Sequence, residues 1–337
     1  MTAMKTLITG ATGLVGNALA LRLARAGHQV RALVRDPARA APLLPGVELC
    51  AGDITEPASL GPAMRDIGRV FHAAGMPEQW QRDERIFDRV NRVGTAHVLD
   101  AALAAGVARV VYTSTMDVFA APSGGTLVES NVDPNPKHTA YERSKQGAEQ
   151  EVALRRARGL QVVMVNPAAV YGPGPVHVAL NSFFIRQLTG KMPVVPPGGV
   201  AVVYIDGLVD ALLAAGERGI DGERYLVADT YASNLELARE IARVAGAARV
   251  PRVAPAWLLR PFAAASAPLA RLFGFSPLIA PGQLAFLLWQ ARVDASKAQR
   301  ELGFVPTELS AGVAQTIAHL SAEGLVPPRP PAPTDAH

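Results

Sequence analysis

The alternation of short β-branched runs with longer helical stretches constrains the fold of this chain more than any other feature. The strand candidates up to about residue 170 are Thr6–Thr9, Gln29–Val34, Val47–Cys50, Arg69–Ala73, Arg109–Thr113 and Gln161–Asn166, and a later one is Arg224–Ala228. Their spacing is typical of βαβ units, in which a helix joins two parallel strands. Because the runs are apolar on both faces, helices are expected to cover both sides of the sheet. The sequence therefore predicts an α/β fold built on a doubly wound parallel sheet.

The residue pattern changes beyond residue 175, where Pro and Gly interrupt the chain and most segments have a helical pattern. With 337 residues, the chain is long enough for two domains. We predict a first domain over 1–175 with 200–230 threaded back into it, a smaller, mainly helical C-terminal domain from 176–199 and 231–326, and a disordered Pro-rich tail over 327–337.

Composition and charge exclude several classes of protein. Apolar residues make up 49% of the chain and charged residues 18%, which suits a sizeable core and excludes a disordered chain. The net charge is +4 and no block of five basic residues occurs, so no nucleic-acid partner is expected.

Cys50 is the single cysteine, and neither His28 nor His72 stands at metal-ligand spacing, so we expect neither a disulfide nor a metal. No leader-like segment and no uncharged apolar run of membrane-spanning length is visible, so we expect a cytoplasmic protein with no transmembrane segment.

Three glycines follow the first strand candidate and open a helix. Gly10 permits a tight strand-to-helix turn, and Gly13 lets the backbone approach a pyrophosphate with no Cβ in the way. Gly16 lets the helix pack close to the sheet. The N-terminus of that helix offers free N–H groups and a positive dipole to phosphates. The loop therefore predicts a Rossmann dinucleotide site.

The end of the second strand bears on the choice of dinucleotide. An NAD-specific domain usually places an acid there, but this chain has Val34 followed by Arg35. A guanidinium can clamp the 2′-phosphate of NADP with bidentate bonds, so NADP is the expected cofactor. Asp36 could reach the ribose, which leaves NAD open as an alternative. Asp53, after the third strand, suits an adenine contact, and Ala73 to Gly75 suit a wall beside the cofactor.

Tyr141 and Lys145 form the most informative pair. At i and i+4 on a helix they lie on one face. The phenol has a pKa of about 10, and a neighbouring ammonium favours phenolate and lowers that pKa. The same phenol can give a proton to a carbonyl oxygen during reduction. Thr113, Ser114 and Thr115 end the fifth strand, where catalytic groups of a doubly wound sheet gather.

These motifs together resemble an extended short-chain dehydrogenase/reductase of the NAD(P)-dependent epimerase/dehydratase superfamily. The residues that carry the resemblance recur in family order and are Thr9-Gly10-Ala-Thr-Gly13-Leu-Val-Gly16, Gly52-Asp53, His72-Ala-Ala-Gly75, Asn91-x-x-Gly94-Thr95, Thr113-Ser114-Thr115, Tyr141-x-x-x-Lys145 and Asn166-Pro167-x-x-x-Tyr171-Gly172-Pro173. The arginine-rich end of the second strand and the context of Tyr141 also look like the dihydroflavonol-reductase-like branch and like bacterial proteins labelled hopanoid-associated sugar epimerases.

The resemblance implies a role for each matching position. Tyr141 would be the general acid/base, Lys145 would bond the nicotinamide ribose, and Thr115 would orient the substrate oxygen. Asn91 is carried over as a fourth catalytic residue, although it could simply fix helix geometry. The implied cofactor contacts are Gly10, Thr12, Gly13, Leu14, Val15, Gly16, Arg35, Asp53, Ile54, Ala73, Ala74, Gly75, Thr113, Ser114, Tyr141, Lys145, Asn166, Pro167 and Val170. The C-terminal domain would bind the substrate, and a homodimer through helices around 80–105 and 140–158 is implied.

Two departures from the family pattern disfavour a nucleotide-sugar substrate. Dehydratases of the superfamily carry Thr-Asp-Glu where this chain has Thr115-Met116-Asp117, so the acid that protonates a leaving hydroxyl is replaced by Met116. Sugar-nucleotide enzymes often carry an Arg-Pro-Gly-Asp segment near the C-terminus, and here Arg292 alone could serve a diphosphate.

The sequence therefore predicts an NADP(H)-dependent reductase or dehydrogenase for a ketone/secondary alcohol pair of a hydrophobic small molecule. Large apolar side chains between residues 255 and 290 could form a groove for a steroid-like or terpenoid compound, although they could equally be core or dimer contact. Two alternatives stay open: a nucleotide-sugar epimerase with retained NAD(P), and a non-catalytic NADP-sensing or assembly protein.

Overall fold

The computed structural model describes residues 5–77, 81–175, 179–246, 249–259, 261, 264, 284, 286 and 288–327. Within these, the strands are β1 (Lys5–Thr9), β2 (Val30–Val34), β3 (Glu48–Ala51), β4 (Ile67–His72), β5 (Arg109–Thr113), β6 (Thr126–Leu127), β7 (Val162–Pro167), β8 (Ala169–Tyr171), β9 (Val194–Val195), β10 (Gly199–Tyr204), β11 (Arg224–Val227), β12 (Thr230–Ser233), β13 (Arg252–Val253) and β14 (Arg292–Val293). The helices whose bounds fall in these ranges are α1 (Leu14–Arg25), α2 (Pro37–Ala40), α3 (Leu60–Met64), α4 (Arg85–Phe87), α5 (Gly94–Ala104), α6 (Ala140–Arg156), α7 (Ala179–Leu188), α8 (Ile205–Arg218), α9 (Asn234–Ala245) and α10 (Leu309–Ala322).

A seven-stranded parallel sheet forms the centre of the fold. Its strand order is β3-β2-β1-β4-β5-β7-β11, so the order reverses on either side of β1. β1 pairs with β2 on one side and with β4 on the other. The carboxyl ends of β1 and β4 therefore lie beside a topological switch point, where open α/β sheets bind their ligands.

Helices cover both faces of this sheet. One hydrophobic cluster contains Leu19 of α1 and Leu208 of α8. A second contains Leu60 of α3, Val98 of α5 and Ala148 of α6. The apolar side chains of the strands divide between the two clusters, which explains why the strand runs lack an exposed polar face.

The predicted α/β fold with a doubly wound sheet is confirmed. All seven predicted strands are present, with ends displaced by at most two residues. The sequence did not predict a second sheet of three strands, in the order β12-β10-β8. β8 and β12 have only three and four residues, and all six residues of β10 are buried, so none of them shows a distinct alternation of apolar and polar positions.

The segment 200–230 begins in β10, continues through α8 and ends with β11. β11 pairs in parallel with β7 at the edge of the main sheet, and α8 contacts β7 and α1. The division of the chain into two domains stays a prediction. The predicted disordered tail falls, apart from Pro327, outside the described residues.

Candidate active site

The glycine loop connects β1 to α1, and two of its glycines leave no room for a Cβ. Gly10 has a φ of +75°, and a Cβ built there would lie 2.6 Å from the backbone nitrogen of Ala74. A Cβ on Gly16 would lie 2.3 Å from the carbonyl oxygen of Gly10. Gly13 is the N-cap of α1 and provides no side-chain acceptor for the first-turn N–H groups. These groups are therefore available to a phosphate, and the cradle fits a dinucleotide.

Arg35 and Asp36 follow β2, at the position where the sequence predicts the ribose contact. Arg35 is exposed directly after the strand, whereas Val34 is buried. One oxygen of Asp36 accepts a hydrogen bond from the backbone N–H of Arg39 at 3.1 Å and caps α2. The cap holds Asp36 beside the exposed guanidinium of Arg35, and the choice between NADP and NAD stays a prediction.

The other cofactor positions lie at the ends of the neighbouring strands. Asp53 accepts hydrogen bonds from the N–H and the hydroxyl of Thr55, at 2.8 and 2.9 Å, and thereby orders the turn after β3. The side chains of Leu14 and Ile54 are buried in the core, so only their backbone can meet a ligand. Gly75 is exposed just after β4. The exposed side chain of Thr12 is at the tip of the glycine loop.

The helix α6 begins one residue before Tyr141 because of a capping box. The Thr139 hydroxyl accepts from the N–H of Glu142 at 3.1 Å, and the Glu142 carboxylate accepts from the N–H of Thr139 at 2.8 Å. Tyr141 therefore stands in the first turn, with its ring edge-on to Phe87 at a centroid distance of 6.1 Å. Lys145 follows one turn later.

Lys145 is buried beneath the end of β5. Its ammonium donates to the carbonyl oxygen of Thr113 at 2.9 Å and to the hydroxyl of Tyr112 at 3.1 Å. Burial lowers the pKa of Lys145 to about 8, although the carboxylates of Glu149 and Asp117 oppose this shift. Of the three N–H groups of the ammonium, these two contacts leave one for a ligand.

Thr115 is tied to a buried carboxylate that the sequence analysis did not single out. Its hydroxyl donates to Asp117 at 2.8 Å and accepts from the N–H of Asp117 at 3.2 Å. The hydroxyl has one hydrogen, so it donates either to Asp117 or to the oxygen of a bound substrate. Burial raises the pKa of Asp117 to about 6, with the contact to Thr115 opposing the shift.

Asp117→Asn is expected to stabilise the protein above pH 6. The pKa of Asp117 is higher in the folded chain than its ordinary value of 3.8, so the folded state binds the proton more tightly. The contribution of Asp117 to the free energy of unfolding is therefore fully present below about pH 4. It declines as the pH rises toward 6 and is absent above pH 6. Removing the charge should recover about 2–3 kcal/mol at pH 7.5 and less at pH 4.5, as measured by urea unfolding. An equal effect at both pH values would show that Asp117 is not the titrating group.

Asn91 belongs to a buried chain of hydrogen bonds and not to the immediate surroundings of the Lys145 ammonium. It lies on the π-helical segment Asp88–Val93, and its amide clamps the backbone of Met76 with bonds of 2.7 and 3.1 Å. The amide also donates to Ser144 at 2.9 Å, and Ser144 donates to the carbonyl oxygen of Tyr141 at 2.6 Å. Asn91 thus stabilises the first turn of α6 through Ser144. The catalytic role of Asn91 stays a prediction.

The same chain continues to the glycine loop through His72. Thr95 donates its hydroxyl hydrogen to the carbonyl oxygen of Asn91 at 2.5 Å, so it must accept from Nε2 of His72 at 2.9 Å. Nδ1 of His72 then accepts from the hydroxyl of Thr9 at 2.6 Å. Burial lowers the pKa of His72 to about 3, so the ring is neutral at physiological pH. The directed bonds link the residue before Gly10 to the helix that carries Tyr141.

A second buried network holds Ser114 and Asn166. Glu149 accepts from the Ser114 hydroxyl at 2.6 Å, from the Asn166 amide at 2.8 Å and from Arg224 at 2.9 Å. The Asn166 amide also donates to the carbonyl oxygen of Thr115 at 3.0 Å. Pro167, the last residue of β7, is buried, and Val170 in β8 is half-buried. The network fixes the ends of β5 and β7 against α6.

The structure therefore brings together Thr113, Ser114, Thr115, Lys145 and Asn166, with Tyr141 on the same helix as Lys145. Their contacts to cofactor or substrate stay predictions. Among the described residues, no group of three or more His, Cys, Asp and Glu is placed to hold a metal ion. No described helix combines the length and apolar character needed to cross a bilayer.

The glycine cradle, the free helix N-terminus and the unused N–H of Lys145 fit a nicotinamide dinucleotide. A sequence model of the NAD dependent epimerase/dehydratase family matches residues 6–228, which contain all of these features. The chain belongs to this family. It is an NAD(P)-dependent oxidoreductase of the extended short-chain dehydrogenase/reductase type, as its sequence motifs predicted.

Relatives and solved structures agree with this assignment over nearly the whole chain. Sterol demethylase protein B of Methylococcus capsulatus is 34% identical over 329 residues, covering 96% of this chain and 100% of the relative. A putative dihydroflavonol 4-reductase of Synechocystis is 29% identical, covering 95% of each chain. The crystal structure of gox2253 superposes with a TM-score of 0.80 at 31% identity, covering 96% of this chain and 100% of the other.

Proposed function

We propose that this oxidoreductase uses NADP(H) to interconvert a ketone and a secondary alcohol on a hydrophobic, steroid-like small molecule. The observation that carries the proposal is the juxtaposition of Thr115 and Lys145 at the end of β5, with Tyr141 one turn away on α6. The exposed Arg35 supports NADP. The names of the two relatives, a sterol demethylase component and a dihydroflavonol reductase, support a polycyclic substrate.

The hydrogen bonds of the site define what each residue contributes. When bound, the nicotinamide supplies or accepts the hydride. The hydroxyl hydrogen of Thr115, which points to Asp117 when no substrate is bound, turns to the substrate oxygen and orients it. The single proton of a substrate hydroxyl is then left for Tyr141. Tyr141 takes the proton of that hydroxyl during oxidation and returns it during reduction. The buried ammonium of Lys145 favours the phenolate form of Tyr141 by its positive charge.

The decisive experiment follows absorbance at the nicotinamide band. Purified protein is mixed with NADP⁺ or NAD⁺ and with a panel of sterols, other apolar secondary alcohols and nucleotide sugars. Net NADPH formation with an apolar alcohol is the expected result. An isomerised nucleotide sugar without net reduction would instead establish a retained-cofactor epimerase and overturn the proposal.

Arg35→Ala is expected to weaken NADP binding by about tenfold to a hundredfold, because a charge-assisted contact to the 2′-phosphate is lost. NAD binding should change little, since NAD has no phosphate there. Dissociation constants from quenching of protein fluorescence test both cofactors. Arg25→Ala, at an exposed arginine that ends α1, is the matched control. Equal losses for NADP and NAD would remove Arg35 from the phosphate site.

A further inference from the structure

Exposed apolar side chains concentrate on one part of the C-terminal half. Nine large hydrophobic residues are exposed among the described residues, and five of them lie at 194 or within 250–258. Trp257 is 75% exposed and Leu258 is 52% exposed. Scattered single apolar residues are ordinary on a protein surface, whereas a contiguous group usually marks a contact site.

Backbone pairing brings two of the exposed segments side by side. The N–H of Arg252 donates to the carbonyl oxygen of Pro193 at 3.1 Å, so that β13 lies in parallel beside β9. A helical turn begins just after β13, and its Leu259 is buried in a small cluster with Ala254 and Leu284. We call the exposed set the β9–β13 surface. It consists of Lys191, Val194, Arg252, Val253, Trp257 and Leu258.

The two sequence stretches that supply this surface contain basic residues and no acidic ones. No Asp or Glu occurs between residues 152 and 205, or between residues 241 and 293. The second stretch contains six arginines, and the rest of the chain has 27 Lys and Arg against 29 Asp and Glu. The basic excess of the whole chain therefore belongs to the stretch that supplies four of the nine exposed large apolar residues.

We propose that the β9–β13 surface docks the protein on an anionic lipid bilayer. Lys191 and Arg252 would meet the negative headgroups, while Trp257 and Leu258 would enter the boundary between headgroups and acyl chains. Tryptophan favours this depth because its ring is apolar and its N–H is polar. A basic face with large apolar side chains is the usual composition of such interfacial contacts.

Charge argues against a second copy of the chain as the occupant. Two β9–β13 surfaces facing each other would place Lys191 and Arg252 of both copies together with no nearby acidic residue in the sequence. Like charges juxtaposed in an interface oppose association. An anionic bilayer instead supplies the missing negative charge along the whole surface.

Co-sedimentation with lipid vesicles tests the proposal and needs neither a substrate nor activity. The full chain is expected to bind vesicles of phosphatidylcholine mixed with phosphatidylglycerol, and to bind pure phosphatidylcholine vesicles much more weakly. Raising the salt concentration should release it. Lys191→Gln with Arg252→Gln should lower the partition coefficient roughly tenfold or more. Arg25→Gln with Arg65→Gln, at two exposed arginines elsewhere, should leave it nearly unchanged.

A second pair of variants tests the apolar half. Trp257→Ser with Leu258→Ser should reduce binding to the mixed vesicles at least tenfold, whereas Val305→Ser with Ile220→Ser should not. Val305 and Ile220 are 75% and 55% exposed, which matches the altered pair closely. Circular dichroism confirms that each variant is folded. The proposal would be overturned by equal binding to both vesicle types, or by equal losses of binding in the control pairs. It would also be overturned if the protein is a dimer and only the variant with Trp257→Ser and Leu258→Ser dissociates it.

Discussion

Tyr141→Phe is expected to reduce ketone or alcohol turnover by about 10²- to 10⁴-fold, the range that a positioned acid/base group contributes. The substitution removes one hydroxyl and keeps the ring that packs edge-on against Phe87. The backbone carbonyl that accepts from Ser144 is also unchanged. The effect should therefore fall on the chemical step and not on the fold.

Cofactor binding separates this prediction from a general loss of function. The dissociation constant for NADPH, measured by fluorescence, should stay within a few-fold of wild type in Tyr141→Phe, because the glycine cradle and Arg35 are untouched. The melting temperature should stay equally close. Tyr231→Phe, at a half-buried tyrosine on β12, is the matched control and should retain full turnover. If Tyr141→Phe turns over its substrate at the wild-type rate, another group must transfer the proton, and Tyr141 is not catalytic.

The residues that make the sheet and the glycine loop could be predicted because their signals are local. β-branched runs at regular spacing identify parallel strands, and a Cβ at Gly10 or Gly16 would lie within 2.6 Å of backbone atoms. The Tyr141 and Lys145 pair could be placed on one helix face for the same reason. The short strands β8, β9, β12 and β13 carry no comparable local pattern, so the second sheet and the β9–β13 pairing were not predicted.

The partners inside the site could not be read from sequence spacing. Glu149 meets Arg224 across 75 residues, and His72 meets Thr9 across 63. Such contacts depend on which strand ends the sheet places side by side. Asp117 is a partial exception, because it stands two residues from Thr115. Its burial, and therefore its raised pKa, becomes evident only when α6 is packed over the end of β5.

Glu149→Ala is expected to be the most destabilising single change in the site. Its carboxylate is buried and accepts from Ser114, Asn166 and Arg224, so the variant leaves three donors without their acceptor. One of these donors is a partly buried guanidinium, and breaking a buried ion pair from one side costs about 3–5 kcal/mol. Urea unfolding at neutral pH measures the loss of unfolding free energy. Glu240→Ala, which breaks the pair with the exposed Arg243, should cost no more than about 1 kcal/mol.

A double-mutant cycle distinguishes the broken pair from a simple cavity. Glu149→Leu with Arg224→Leu removes both charges together, so it should cost less than the sum of the two single changes. Strict additivity would mean that the ion pair contributes nothing and that the loss is one of packing alone.

Removing Glu149 should also change the titration of Lys145, because the carboxylate of Glu149 opposes the lowering of the pKa of that lysine. Without Glu149 the pKa of Lys145 should fall below its value of about 8. Activity that depends on the positive charge of Lys145 should then begin to decline at a lower pH than in the wild type.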